Sequence, residues 1–546
     1  YKTGGATTFT AVSSGTIDIG GGDVTFTTSA DDLIFSTAAI VLSGDGTTTM
    51  TTGAGAGAIT FSSTIDGTGG AGENLVLESG TGDITVPGAI GASSALGTLT
   101  MNTSGDGDIT LSGNIGLDAS TYGATVTAIG NSDTDDLNLD GTFYTTNGST
   151  TYTSDETDLG GANPTFTTSA DSITFGSGDV SIANGTLTVT SVGGSINFEG
   201  TIKGSSDEVL VLNANAASDG ASSNEKVTVS AIGIDNQIHS VTITGRDGIT
   251  LKGNITTSNQ ASNDVLIDGP VTLDATSVVV DTNASSNDGS ITFNSSIDSS
   301  SGTTRDLDLI SGDASITVQG TIGATDALSS LDINQTGSGS IELSSIGTSS
   351  SKGVTGSTNV GNNSTNLLTL DGTNYFTDIV DYEAKSGGSI AISGGDVTFT
   401  TSADAMTFST APVVLSGDGT TTMTTGNAIG GVISFASTID GTGGSGENLV
   451  IESGTADITV TGAIGASSAL GTLTMNTSGD GDITLSSNIG GGSAGATTTA
   501  IGNTATADLN LNGTIYKTDG ATTFTAVSGG TIDLGGTSPT FTTSAD

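Results

Sequence analysis

The sequence predicts an all-β fold, a right-handed parallel β-helix with about 25 residues per coil and three short strands in each coil. Three observations predict it. Residues 59–116 recur as residues 433–490 at all but seven of 58 positions. Within that stretch Ile59, Ile84 and Ile109 each open an ITF, ITV or ITL triplet, spaced by 25 residues, and Ile65, Ile90 and Ile115 keep the same step. Between the apolar triplets lie Gly, Ser, Asn and Asp turns, with no helical period anywhere.

Each element of a coil follows from its residues. In Ile84-Thr85-Val86 the apolar and polar positions alternate, the period of a strand with one face buried. Strands this short cannot hold a hairpin alone, but they can stack in parallel on their equivalents one coil away, about 4.8 Å apart. Gly supplies the left-handed backbone that corners need. Thr suits outward strand positions because it is β-branched. The right-handed coil is expected from the handedness of parallel crossovers, and the length allows about 22 turns. A row of immunoglobulin-like sandwiches is the competing architecture. It needs a core rich in aromatics and gives a 25-residue step no place.

A longer period of about 140 residues is superimposed. The heptapeptide TFTTSAD occurs four times, and residues 1–31 agree with 516–546 at 25 of 31 positions. Weaker copies begin at Ile196 ("INFEGTIKG") and Ile291 ("ITFNSSIDS"). The expected organisation is a repeat unit over 1–143, a longer divergent unit over 144–374 holding two copies, a repeat unit over 375–515, and the start of another over 516–546. Beginning and ending on equivalent coils, the chain is expected to be one stretch of a longer filament.

Composition bounds the function. With 57 acidic residues against nine Lys and Arg, the net charge is −48. That excludes nucleic acid, which needs a basic face, and disfavours an anionic membrane. Cys is absent, so no disulfide scaffold exists. No apolar run approaches the roughly 18 residues of a membrane-spanning helix, and no signal peptide is visible.

Strings such as "NLVLESGTGDITVPGAIGASSALGTLTMNTSGDGDITLSGNIG" resemble the strand-repeat regions of filamentous haemagglutinin-like exoproteins and giant bacterial surface adhesins. The resemblance implies a right-handed β-helical stalk exported to the cell surface, extracellular and non-catalytic. It implies as partners neighbouring repeats or other copies of the chain, and surface polysaccharide or a host or partner cell. It brings no functional residues with it.

The sequence offers few candidates for chemistry. A β-helical carbohydrate-active enzyme is the competing function class, since paired carboxylates suffice for glycoside hydrolysis, but acidic residues are too abundant here to be diagnostic. His239, the only histidine, sits in "NQIHSVTIT" and reads as a solvated turn residue. Lys203, Lys226, Arg246, Lys252 and Arg305 read as scattered charges that relieve acidic repulsion. Met50, Met101, Met423 and Met475 end equivalent strands and read as core. Runs such as "TTTMTTG" read as strand propensity rather than an ice-ordering array. No cofactor is required. The candidate metal ligands are Asp83 and Asp108, with Asp457 and Asp482 in the second copy. Stacked 25 residues apart, such carboxylates repel by roughly 1 kcal/mol in water, and a bridging calcium ion would reverse that sign.

Overall fold

The structure is a computed structural model and describes residues 1–546 except 70–71, 119, 170, 206, 216–223, 427–429, 444–445 and 545–546. The described residues hold strands and turns and no helix. They form a parallel β-solenoid with roughly 25 residues per coil and about 21 turns. Two compact units divide it, Tyr1–Pro270 and Val271–Asp546.

In the first unit the expected register is present. Ile84 pairs with Ile59 on one side and Ile109 on the other, in parallel. Ile90 bridges Ile65 and Ile115 in the same way, and Leu99 pairs with Leu75. These three columns line the core, and every one of these residues is at most 1% exposed. Burying each such side chain contributes about 1.5–3 kcal/mol, which is what holds a fold of three-residue strands together. The second unit repeats the arrangement, with Ile433, Ile458 and Ile483 in one column and Ile439, Ile464 and Ile489 in another.

Gly91 and Gly116 show why glycine closes each coil. Both have positive φ, 65° and 86°, and donate their N–H groups to Ile65 and Ile90 at 2.7 and 2.8 Å. A Cβ on Gly91 would stand 2.0 Å from the carbonyl oxygen of Gly123 in the next coil. Coils can stack this closely only where that corner carries no side chain.

Two features depart from a uniform 25-residue register. First, the step varies. Ile109 pairs with Leu137, a step of 28, and the following Leu137–Thr157 step is 20. Second, a sequence motif keeps its column only within one module. In the first unit the column of Met101, from an LTM strand, continues through Ile129 and Tyr152 to Phe175 and Phe198, which end the next ITF and INF strands. The second unit makes the same change from Ile333 through Val360, Tyr382 and Phe408 to Phe435. In each unit the ITF-type triplet thus moves to the column that another strand of the coil held before.

Aromatic rings gather where the motif changes column. Tyr144 stacks on Phe166 at 4.6 Å, Tyr152 on Phe175 at 5.1 Å and Phe175 on Phe198 at 4.4 Å. In the second unit Tyr375 stacks on Phe399 at 4.6 Å and Phe408 on Phe435 at 4.8 Å. Offset stacks of this kind add about 0.5–1.5 kcal/mol each beyond their burial.

Candidate functional site

Outward polar side chains recur from coil to coil, and the four candidate aspartates are among them. Asp83 stands just before its strand, Ile84–Val86, as expected, whereas Asp108, one coil on, lies within the strand Gly107–Leu111. The Asp83 carboxylate accepts the backbone N–H of Asp108 at 3.2 Å, and Asp108 accepts that of Asp136 at 3.3 Å. In the second unit Asp457 accepts the N–H of Asp482 at 2.9 Å, Asp482 that of Asp508 at 3.0 Å, and Asp508 that of Thr531 at 2.6 Å. Each carboxylate therefore satisfies a backbone donor of the coil above, at or near the start of its strand. This accounts for the recurrence of Asp at 25-residue spacing. Among the described residues no three His, Asp or Glu side chains gather as a metal-holding group.

Asparagine does the same work at another corner, a role the sequence reading did not assign. Asn114 Oδ1 accepts the N–H groups of Thr142 and Phe143 at 2.8 and 3.1 Å. Its counterpart Asn488 accepts those of Thr514 and Ile515 at 2.8 and 2.9 Å. Asn74 and Asn448 each accept a threonine N–H one coil on, both at 2.8 Å. The signal was available, since these asparagines hold matching positions in the two copies.

Where acidic residues also face outward within strands, they crowd. Burial raises the Asp136 carboxyl above the ordinary range, and Asp108 and Asp135 raise it further. Asp308 and Asp332 are register partners on adjacent strands. Asp308 is half-buried, and that burial, with Asp332 and Asp281 beside it, pushes its carboxyl up to about 6.

The basic residues are mostly paired with this acidic surface. Lys203 lies 2.5 Å from Asp179, Arg246 lies 2.8 Å from the buried Glu225, and Arg305 lies 3.8 Å from Asp274. Lys226 and Lys252 are exposed on the first unit. These five residues do not converge on a common pocket among the cavities found. His239 is half-buried, with Nε2 2.9 Å from the carbonyl oxygen of Ala261. A carbonyl cannot donate, so the Nε2 proton is committed to that bond. Met50, Met101, Met423 and Met475 are fully buried, as expected of core residues. Thr60, Thr85 and Thr110 form an outward column one residue wide.

The coils thus spend their inward side chains on stacking and much of their outward polar chemistry on the coil above. Compared with protein-family models, curated proteins and solved structures, the chain matches none.

Proposed function

We propose that this chain is a non-catalytic structural shaft, one segment of a giant repetitive protein displayed outside the cell as an adhesin stalk or fibre. The observation that carries the reading is the use made of the outward polar side chains. Asp83, Asp108, Asn74 and Asn114 each bond to the backbone of the next coil, so the surface chemistry extends the solenoid instead of converging on a substrate. The net charge of −48 fits the same role, because like-charged shafts repel and stay dispersed. Neighbouring repeats of the same chain are its first partners. Calcium bridging of the acidic columns would be an addition to this role and not a condition of it.

The test is immunogold labelling of intact producing cells with antibody raised against residues 1–546. Surface label that a brief protease treatment removes is the expected result. Label that appears only after permeabilisation would overturn the proposal.

A further inference from the structure

One corner of the first unit breaks the pattern of buried apolar and bonded polar side chains. It is the loop between Ile115 and the strand Ala124–Ile129. Leu117 is 58% exposed, Tyr122 37% and Val126 at the start of the strand 38%. Tyr144, Tyr152, Tyr375, Tyr382 and Tyr516 are all core residues, so Tyr122 stands out as a tyrosine turned to solvent away from the terminal coils. Asp118, Ser120 and Thr121, among the described residues of the loop, are tied by hydrogen bonds. Asp118 Oδ1 accepts the Ser120 N–H and hydroxyl, both at 2.8 Å, and the Thr121 N–H at 2.9 Å. The Thr145 hydroxyl of the next coil donates to the Asp118 carbonyl at 2.7 Å. The copy that otherwise matches so closely has Gly491-Gly492-Ser493-Ala494 after its equivalent glycine, with no apolar side chain larger than a methyl group.

The chemistry recurs once in the same unit. Gly116-Leu117-Asp118 is echoed by Gly233-Ile234-Asp235, again after a positive-φ glycine and again with the aliphatic residue exposed, Ile234 at 44%. At that second corner the chain supplies a cation of its own, the Lys203 ammonium 4.0 Å from the Asp235 carboxylate. Among the described residues no Lys or Arg pairs with Asp118. Its Ser120 and Thr121 bonds hold the Asp118 carboxyl below the usual range, so its charge persists into acid.

We propose that Leu117, Asp118 and Tyr122 form a docking knob for a basic, apolar-flanked segment of a partner protein. The partner's Arg or Lys would face the Asp118 carboxylate and the Tyr122 ring, and its apolar neighbours would cover Leu117. Charge complementarity selects this occupant. A second copy of so acidic a chain would be repelled, whereas a basic segment is drawn in. The inference goes beyond the shaft reading and does not depend on where the chain is displayed.

The experiment is calorimetric titration of the whole chain with a short arginine–leucine peptide at physiological salt, beside a glutamate–leucine peptide and a neutral glucan oligosaccharide. The basic peptide is expected to bind. Affinity should fall about tenfold in Leu117→Ser/Tyr122→Ser and in Asp118→Asn, which keeps the turn-forming Oδ1 and loses the charge. Asp133→Asn, an exposed carboxylate elsewhere, should bind as the unaltered chain does. Unchanged melting of the variants checks that the coils persist. Three results would each overturn the proposal: no binding of the basic peptide, equal binding by all variants, or Tyr122-dependent binding of the glucan instead.

Discussion

At the residue scale, side chains that look alike in the sequence differ in what the coil asks of them. Tyr144 and Tyr152 are both fully buried. The Tyr144 hydroxyl accepts the Gly141 N–H at 2.8 Å, whereas the Tyr152 hydroxyl has no hydrogen-bond partner among the described residues. Tyr144→Phe should therefore cost about 1–2 kcal/mol, while Tyr152→Phe should be neutral or stabilising, because it removes an unsatisfied buried group. Hydrogen-exchange protection of the neighbouring strands measures both, without assuming that so long a solenoid unfolds in one step. Asp308 gives a pH signature. Its raised carboxyl means that the fold binds a proton more tightly than the unfolded chain does. The stability from that proton is fully present below about pH 4 and is lost as pH rises through about 6. A shift of this size would be worth about 3 kcal/mol if fully shielded, and near half exposure reduces it to about 1 kcal/mol. Asp308→Asn should flatten the stability of the second unit between pH 4 and 6. An unchanged slope would refute the assignment.

At the element scale the unit of construction is the corner together with the strand it delivers. Asn114 holds two N–H groups of the following coil, so Asn114→Ala should cost about 1–3 kcal/mol and free Thr142 and Phe143 to exchange. Gly91→Ala should cost at least about 2 kcal/mol, since strain from the positive φ adds to a backbone contact that cannot relax. Thr85→Ala, on the outer face between those corners, should change stability by under about 0.5 kcal/mol. The strands were legible in the sequence because Ile, Leu and Val at alternating positions declare both strand and burial, and the 25-residue step from Ile59 through Ile84 to Ile109 declares the stacking partner there. The corner bonds were less legible. Asp and Asn favour turns for several reasons, and only the register reveals that these ones reach the coil above.

At the scale of the whole molecule, what the sequence concealed was the change of column between modules. Composition presents aromatics as sparse, at 4%, and that sparseness argued against an aromatic core. The structure concentrates them at the joints, in stacks such as Tyr144–Phe166 and Tyr375–Phe399. Spacing counted from triplet to triplet assumes that a motif stays on one face. It cannot register a joint at which the motif moves to another column. The candidate aspartates lie on adjacent coils, and their occupation as acceptors for the next coil could not be read from spacing alone. The knob at Leu117 and Tyr122 lies where the two long copies part company, immediately after the matching stretch ends at Gly116.

The central claim is that strands 25 residues apart lie side by side, parallel and in register. The absence of native cysteine allows it to be tested cleanly. Thr85 and Thr110 are register partners on the outer face of adjacent strands, at a spacing of about 4.8 Å that lies within reach of a disulfide. Thr85→Cys/Thr110→Cys should cross-link within one chain under mild oxidation, with the coils intact. Thr85→Cys/Thr100→Cys, closer in sequence but on different faces, should stay reduced. Cross-linking of the second pair in preference to the first would contradict the parallel register.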